Sequence, residues 1–204
     1  MIKKILLAMS LIGICAAAHA DESNWRFYAG IGMTDGGDTI IASNITVEPT
    51  GLVEPFEIKA GTTTEFRVGA DYTIAKWLSV QASIGHADNA PTGNNGSLDF
   101  KTTPIELLAF LNVTDALRIG GGLRKTHAQM SGTGVVVGWP GLGSYSSTRG
   151  SVVEAQYLFG LSDAAAGNRH NLFGLSVRAI NETFTHDSVS FSGHHYEIGG
   201  AYYY

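Results

Sequence analysis

The last eleven residues, His194 to Tyr204, read HHYEIGGAYYY. Parity separates Tyr196, Ile198, Gly200, Tyr202 and Tyr204 from Glu197, Gly199, Ala201 and Tyr203. That two-residue period is a strand with one apolar and one mixed face. A frayed soluble terminus gains little from three consecutive tyrosines. A closed membrane barrel gains a sealed last strand with its rings at the headgroup level. Such a barrel requires the preceding chain to supply partner strands of similar length and the same two faces.

Seven earlier segments answer to that description: Asn24–Thr34, Glu65–Ile74, Trp77–His86, Leu98–Val113, Ala116–Lys125, Ser151–Leu161 and Leu172–Phe184. Most have the length that a tilted strand needs to cross a bilayer. One face is apolar, as in Trp25, Phe27, Ala29, Ile31 and Met33, or Leu78, Val80, Ala82 and Ile84. The opposite face collects five arginines (Arg26, Arg67, Arg118, Arg124, Arg178) and six acids (Glu65, Asp71, Glu106, Glu154, Glu182, Glu197). Leu98–Val113 is apolar on both faces, and Glu106 selects its even positions as inward. A two-sheet soluble sandwich also alternates, but it would leave such charges in water with no need for balance. In an eight-stranded barrel the interior holds only side chains, and an unpaired buried charge is expensive. The expectation is an all-β, eight-stranded antiparallel transmembrane β-barrel whose lumen is filled by an Arg–carboxylate network. Inner glycines (Gly30, Gly32, Gly69, Gly120, Gly122, Gly160, Gly174, Gly199) are expected to make room for the long arginines.

The connections alternate in length. Ala75-Lys76 and Thr114-Asp115 are tight, whereas 35–64, 87–97, 126–150 and 185–193 are long; Ser162–Asn171 is longish for a turn. Short turns on the periplasmic side and long loops outside is the outer-membrane arrangement. It brings Trp25, Tyr72, Trp77, Phe159, Phe173, Tyr202 and Tyr204 to one periplasmic rim. The outer rim is weaker, with Tyr196 a candidate and Phe100 another only if the parity of its strand breaks.

The start of the chain, MIKKILLAMSLIGICAAAHA, reads as a cleaved secretory signal over residues 1–20, with Lys3 and Lys4 ahead of an apolar run and Ala18-His19-Ala20 as the cleavage site. The domain is then 21–204. Cys15 lies within the signal, so the exported portion holds no cysteine and no disulfide. That portion carries eleven basic against eighteen acidic residues, a formal charge of −7, which disfavours a nucleic-acid partner.

The pattern resembles the small outer-membrane β-barrels of Gram-negative bacteria: the OmpA membrane domain, the OmpX/Ail surface proteins, the OmpW group and the opacity proteins. Its most specific part is the C-terminus, where Glu197, Gly199, Tyr202 and Tyr204 are similar to the polar–x–Gly–x–x–aromatic–x–aromatic signal read by the outer-membrane insertion machinery. The family usually ends in Phe, and Tyr204 departs from that. The resemblance implies Sec export to the outer membrane and contact with its lipid and lipopolysaccharide. It also implies a structural or adhesive role, with ligands met through loops 35–64 and 126–150.

Two other functions fit the same pattern: a narrow channel for ions or small apolar solutes, and a lipid A acyl-modifying enzyme. Barrels that trim lipid A carry a His and a Ser two apart on a late strand, as His186 and Ser188 stand here, but these fall in a loop without a clear carboxylate partner. No catalytic residue is assigned. His86, His127, His186, His194 and His195 fall near the outer strand ends without the accompanying Cys or acid spacing of a metal site, so no metal and no cofactor is expected. The loop 126–150 is read as presenting Val135–Val137, Trp139, Leu142 and Tyr145 outward, or else as a hairpin prolonging its flanking strands.

Overall fold

A computed structural model describes residues 24–47, 52–90, 92–93, 96–134, 137–138, 141–160, 171–186 and 189–204. The signal segment with Cys15, residues 161–170, Trp139 and Ser188 lie outside the described residues. The strands are β1 (Trp25–Gly36), β2 (Thr39–Val47), β3 (Leu52–Lys59), β4 (Thr63–Ala75), β5 (Leu78–Asn89), β6 (Thr92–Gly93), β7 (Gly96–Asn112), β8 (Leu117–Gly132), β9 (Gly143–Ser147), β10 (Gly150–Gly160), β11 (Leu172–Asn181), β12 (Thr183–His186), β13 (Val189–Ser192) and β14 (His195–Tyr203).

Eight of them close on themselves, in the order β1-β4-β5-β7-β8-β10-β11-β14 and back to β1, every pair antiparallel. The closing pair joins Ile31 to Gly200 and Met33 to Ile198. Closure removes the unpaired edges that an open sheet would present. The tight turns sit at Lys76–Trp77 and at 113–116, where the Thr114 hydroxyl accepts from the backbone N–H groups of Ala116 and Leu117.

Faces follow the parity. Phe27, Ile31, Phe66, Ile84, Leu107, Ile119, Leu123, Val153, Leu175 and Ile198 stand exposed around the outside, a belt for lipid. Inward positions are buried and polar, and on β7 the even face points in, from Leu98 and Phe100 to Glu106, Leu108 and Phe110.

Of the two readings of 126–150, the hairpin prolonging its flanking strands is the one found: β8 continues to Gly132 and β9 pairs back onto it, and within 35–64 β2 and β3 form a further hairpin. Tyr145 is buried rather than presented outward and Leu142 is half-buried, so of the described apolar residues expected outside, Val137 alone is exposed. Phe100 faces inward with the rest of the even face, so the parity of β7 is unbroken and the condition for Phe100 as a girdle residue is not met. The inner glycines mostly accommodate groups other than arginine. A side chain at Gly69 would meet the Tyr28 ring, at Gly120 the Phe110 ring, at Gly32 the Glu197 carboxylate, and at Gly122 the β7 backbone. Gly160 is exposed at the strand end.

Candidate functional site

The lumen holds two polar tiers. In the lower one Asp71 bridges Arg26 of its neighbouring strand and Arg118 from across the barrel, the latter at 2.9 Å. The remaining donors of Arg118 go to Gln156 at 2.6 Å, Gln81 at 3.0 Å and the Tyr203 hydroxyl at 2.9 Å, and its plane lies 4.2 Å over the Phe110 ring. Tyr28 and Tyr203 stack at 5.1 Å beside it. Tyr203 thus spends its hydroxyl on both Arg118 and Gln156. Tyr203→Phe should cost about 1–2 kcal/mol, because the buried Arg118 loses an acceptor; urea unfolding of the barrel in lipid vesicles measures it.

The upper tier is a closed ring. Arg67 contacts Glu65 (3.0 Å) and Glu197 (2.5 Å); Arg178 contacts Glu197 (2.9 Å) and Glu106 (2.5 Å); Arg124 contacts Glu106 (2.6 Å) and returns to Glu65 (2.8 Å). Three guanidiniums and three carboxylates alternate around the lumen, drawn from β4, β14, β11, β7 and β8. Glu182 adds to Arg124 at 3.2 Å and takes the Thr126 hydroxyl at 2.6 Å, while Glu154 lies 3.1 Å from Arg178 Nε. All of these side chains are buried. Each arginine of the proposed network has a carboxylate partner, so the alternating geometry compensates charges that are buried from bulk solvent. A wedge of Leu108, Phe110, Val152 and Ile180 fills the β7–β8–β10–β11 side between the tiers.

Above the ring stands a part that the sequence reading did not foresee. Ile58, Ala60, Leu98, Phe100, Ala128, Met130, Tyr145 and Phe184 pack into an apolar core outside the lipid belt, with Ile40, Leu142 and Phe191 against it. It is a head beyond the lipid belt with an interior of its own. Its free sheet edge, β13, is held by Asp38, whose backbone N–H donates to Ser192 O (2.8 Å) and whose carboxylate accepts from Ser192 N (2.7 Å). Burial pushes the Tyr145 hydroxyl above its ordinary value, and that hydroxyl donates to Gly141 O at 2.5 Å. On the outside of the head, the Asp99 hydrogen bond holds the Lys101 ammonium above its ordinary value. The available signal was the pattern on β7 and β8, where the apolar face moves inward above Thr103 and Lys125.

The histidines are dispersed. His86 and His127 sit exposed on outer strand faces, His186 packs on Tyr145 at 5.0 Å, and His195 is buried with Nδ1 on Gly193 O. Among the described residues, Ser192 Oγ lies 2.7 Å from His194 Nδ1. It is a turn: the His194 N–H also points at Ser192 Oγ, and Nδ1 lies 3.3 Å from the Glu182 carbonyl. His194 Nδ1 is shared between the Ser192 hydroxyl and the Glu182 backbone carbonyl.

At the end of the barrel opposite the head, aromatics of the expected rim meet. Trp25 and Tyr72 lie 4.7 Å apart, Phe159 and Phe173 6.5 Å, and Tyr202 donates to Asn171 at 2.6 Å. Of the C-terminal pattern, Glu197 joins the ring while Tyr202 and Tyr204 face lipid.

No protein-family model and no curated protein matches the chain. Solved structures do. Ail, the attachment invasion locus protein of Yersinia pestis, is similar with a TM-score of 0.52 at 14% identity, over 89% of this chain and 99% of that one. Neisserial surface protein A gives 0.47 at 12% identity (88% and 97% covered), and OprG from Pseudomonas aeruginosa gives 0.43 at 12% (89% and 96% covered). With the closed eight-strand order, the lipid belt and the likeness to Ail, the chain has the fold of the small eight-stranded outer-membrane β-barrels.

Proposed function

We propose that this is an exported outer-membrane barrel that does not conduct, and that it works through its extracellular head as a structural and adhesive surface protein. The observation that carries the reading is the closed Arg–Glu ring beneath an apolar core. A transmembrane pore needs a continuous polar path, and here the polar groups spend their hydrogen bonds on one another while an apolar layer lies above them. The head supports an interactive role because it is preorganised: a partner that meets hairpins already packed on a core does not have to order them first. The segments 35–64 and 126–150 contribute the β2–β3 hairpin and β9 to it. In this reading residues 1–20 direct Sec export, and Glu197, Gly199, Tyr202 and Tyr204 are what the insertion machinery reads. Planar-bilayer recording of the refolded protein tests it. A quiet membrane at protein loads that give heat-modifiable, folded barrel is the expected result; reproducible unitary steps would replace it with the narrow-channel reading.

A further inference from the structure

The strands β9, β12 and β13 continue the sheet of the barrel, whereas β2 and β3 pair among the described residues only with each other, in a sheet of their own. Their hairpin leaves the barrel through Gly36 and Gly37, at φ of 135° and 79°, and returns through Gly61. Glycine is what lets the chain turn out of the barrel wall there. A β-carbon on Gly37 would stand 2.7 Å from Gly61 N, so the two legs of the stem pass in close contact. Packing and hydrogen bonds hold the stem down. Ile40, Ile58 and Ala60 pack with the apolar core of the head. Asp38 and Ser192 exchange two hydrogen bonds, and the Gly36 N–H donates to Thr62 Oγ1 at 3.1 Å.

The stem rests on a histidine. His195 is buried, and a β-carbon on Gly61 would lie 2.7 Å from its Cβ and 2.8 Å from its Nδ1. A β-carbon on Gly36 would lie 2.9 Å from its Cα. On β1 the outward positions pass from Met33 to the acid Asp35, which pairs with Tyr196, so His195, one residue farther out, stands above the lipid belt. Its Nδ1 lies 2.6 Å from Gly193 O. The charged groups that act on the ring are Arg124 of β8, Glu65 of β4 and Glu182 between β11 and β12. Glu197, two residues along the same inward face, is engaged by Arg67 and Arg178, and β11 offers the uncharged Ile180. From the stem, Gly36, Ala60, Gly61 and Thr62 bring no charge, and Asp38 is turned to Ser192. Burial, and after it the Arg124 guanidinium, hold the imidazole below its ordinary value against the pull of Glu182 and Glu65.

We propose that the β2–β3 hairpin is an acid-released lid on the head, with His195 as its seat. A neutral imidazole fits beneath Gly61, whereas an imidazolium there is a second cation beside Arg124 and is cut off from water. Raising the stem about its glycines hydrates it. The ring titrates at its ordinary value with the stem up and at a lower one with the stem down. The closed state therefore has its full stability above the ordinary imidazole value and loses it as the pH falls below. Opening uncovers the apolar face of Leu98, Phe100 and Phe184.

The exported portion has no cysteine, so a single introduced thiol reports opening. Ala128→Cys places it in the core of the head, and Gln129→Cys, the next residue, on the outer face. With the mature barrel refolded into nanodiscs, the maleimide labelling rate of the first divided by that of the second follows the open population. The division removes the fall in thiolate that acid imposes on both. Between a pH of about 7.5 and one of about 5 the ratio should rise about tenfold, the equilibrium factor of one pKa unit. With His195→Gln added, the ratio should stay level. Gly61→Ala, whose methyl meets the imidazole, should raise the ratio already at neutral pH. A ratio that ignores acid, or a Gly61→Ala ratio equal to that of the parent, overturns the lid. A rise that persists with His195→Gln overturns His195 as its seat. Migration on an unboiled gel is read at both pH values, and a rise that coincides with loss of the folded band is unfolding of the whole barrel and also overturns the lid. Should His195→Gln not fold, Gly61→Ala decides.

Discussion

Arg124→Met is expected to lower the unfolding free energy of the lipid-embedded barrel by about 3–5 kcal/mol, the cost of stranding buried charge by removing one partner. Arg124 reaches across the lumen from β8 and contacts Glu65, Glu106 and Glu182 at once. Methionine fills similar volume, so the loss is one of charge compensation rather than of packing. Glu65 keeps Arg67 and Glu106 keeps Arg178, whereas Glu182 retains the Thr126 hydroxyl. Glu182 should therefore carry much of the penalty, and Arg124→Met/Glu182→Gln should recover a measurable part of it. Reversible urea unfolding in vesicles measures both variants. A loss under about 1 kcal/mol, the size typical of a solvated ion pair, would mean that water fills the lumen and the ring is not a plug.

The strands, their faces and the five arginines were legible because a membrane barrel makes two simple demands, an apolar outside and a balanced inside. Each leaves a period-two trace that needs no knowledge of which strand pairs with which. What was not legible was pairing across the lumen: nothing in the local sequence joins Arg124 to Glu65 or Arg118 to Asp71, since closure of the sheet alone brings β8 to β4. The head was missed for another reason. Its strands keep the parity of the membrane strands while the two faces exchange character. On β8, Leu123 faces lipid and Arg124 the lumen, but five residues on, Ala128 faces inward and Gln129 outward to water. The same exchange on β7 puts Phe100 inside and Lys101 outside. A reading that expects apolar-out throughout ends β8 at Lys125, where the solvent changes, although it carries β7 out to Leu98. The exchange is itself the mark of the membrane boundary, and Gly- and Ser-rich composition around β9 is compatible with a strand once Tyr145 has a core to enter.

That boundary can be measured on a single face of a single strand. Leu107→Arg and Thr103→Arg both place a guanidinium on the outward side of β7, four residues apart. Leu107 lies between the exposed Leu111 and Ile105, well within the lipid belt, while Thr103 sits above Ile105 and pairs with His127. At about 3.4 Å per residue along a tilted strand, the two sites differ in depth by roughly 10 Å. Leu107→Arg should cost about 2–4 kcal/mol or block insertion, and Thr103→Arg about 0–1 kcal/mol, following the depth dependence of charge on a lipid-facing strand. The comparison holds strand, face and introduced residue constant, and Leu107→Thr separates the loss of the leucine side chain from the cost of the charge. Unfolding in vesicles gives the free energies, and the folded fraction on an unboiled gel reports failed insertion. Equal costs at the two sites would move the outer boundary above Thr103, and Lys125, one strand over and pairing with Ile105, would then lie within the hydrocarbon where an unbalanced ammonium could not be held.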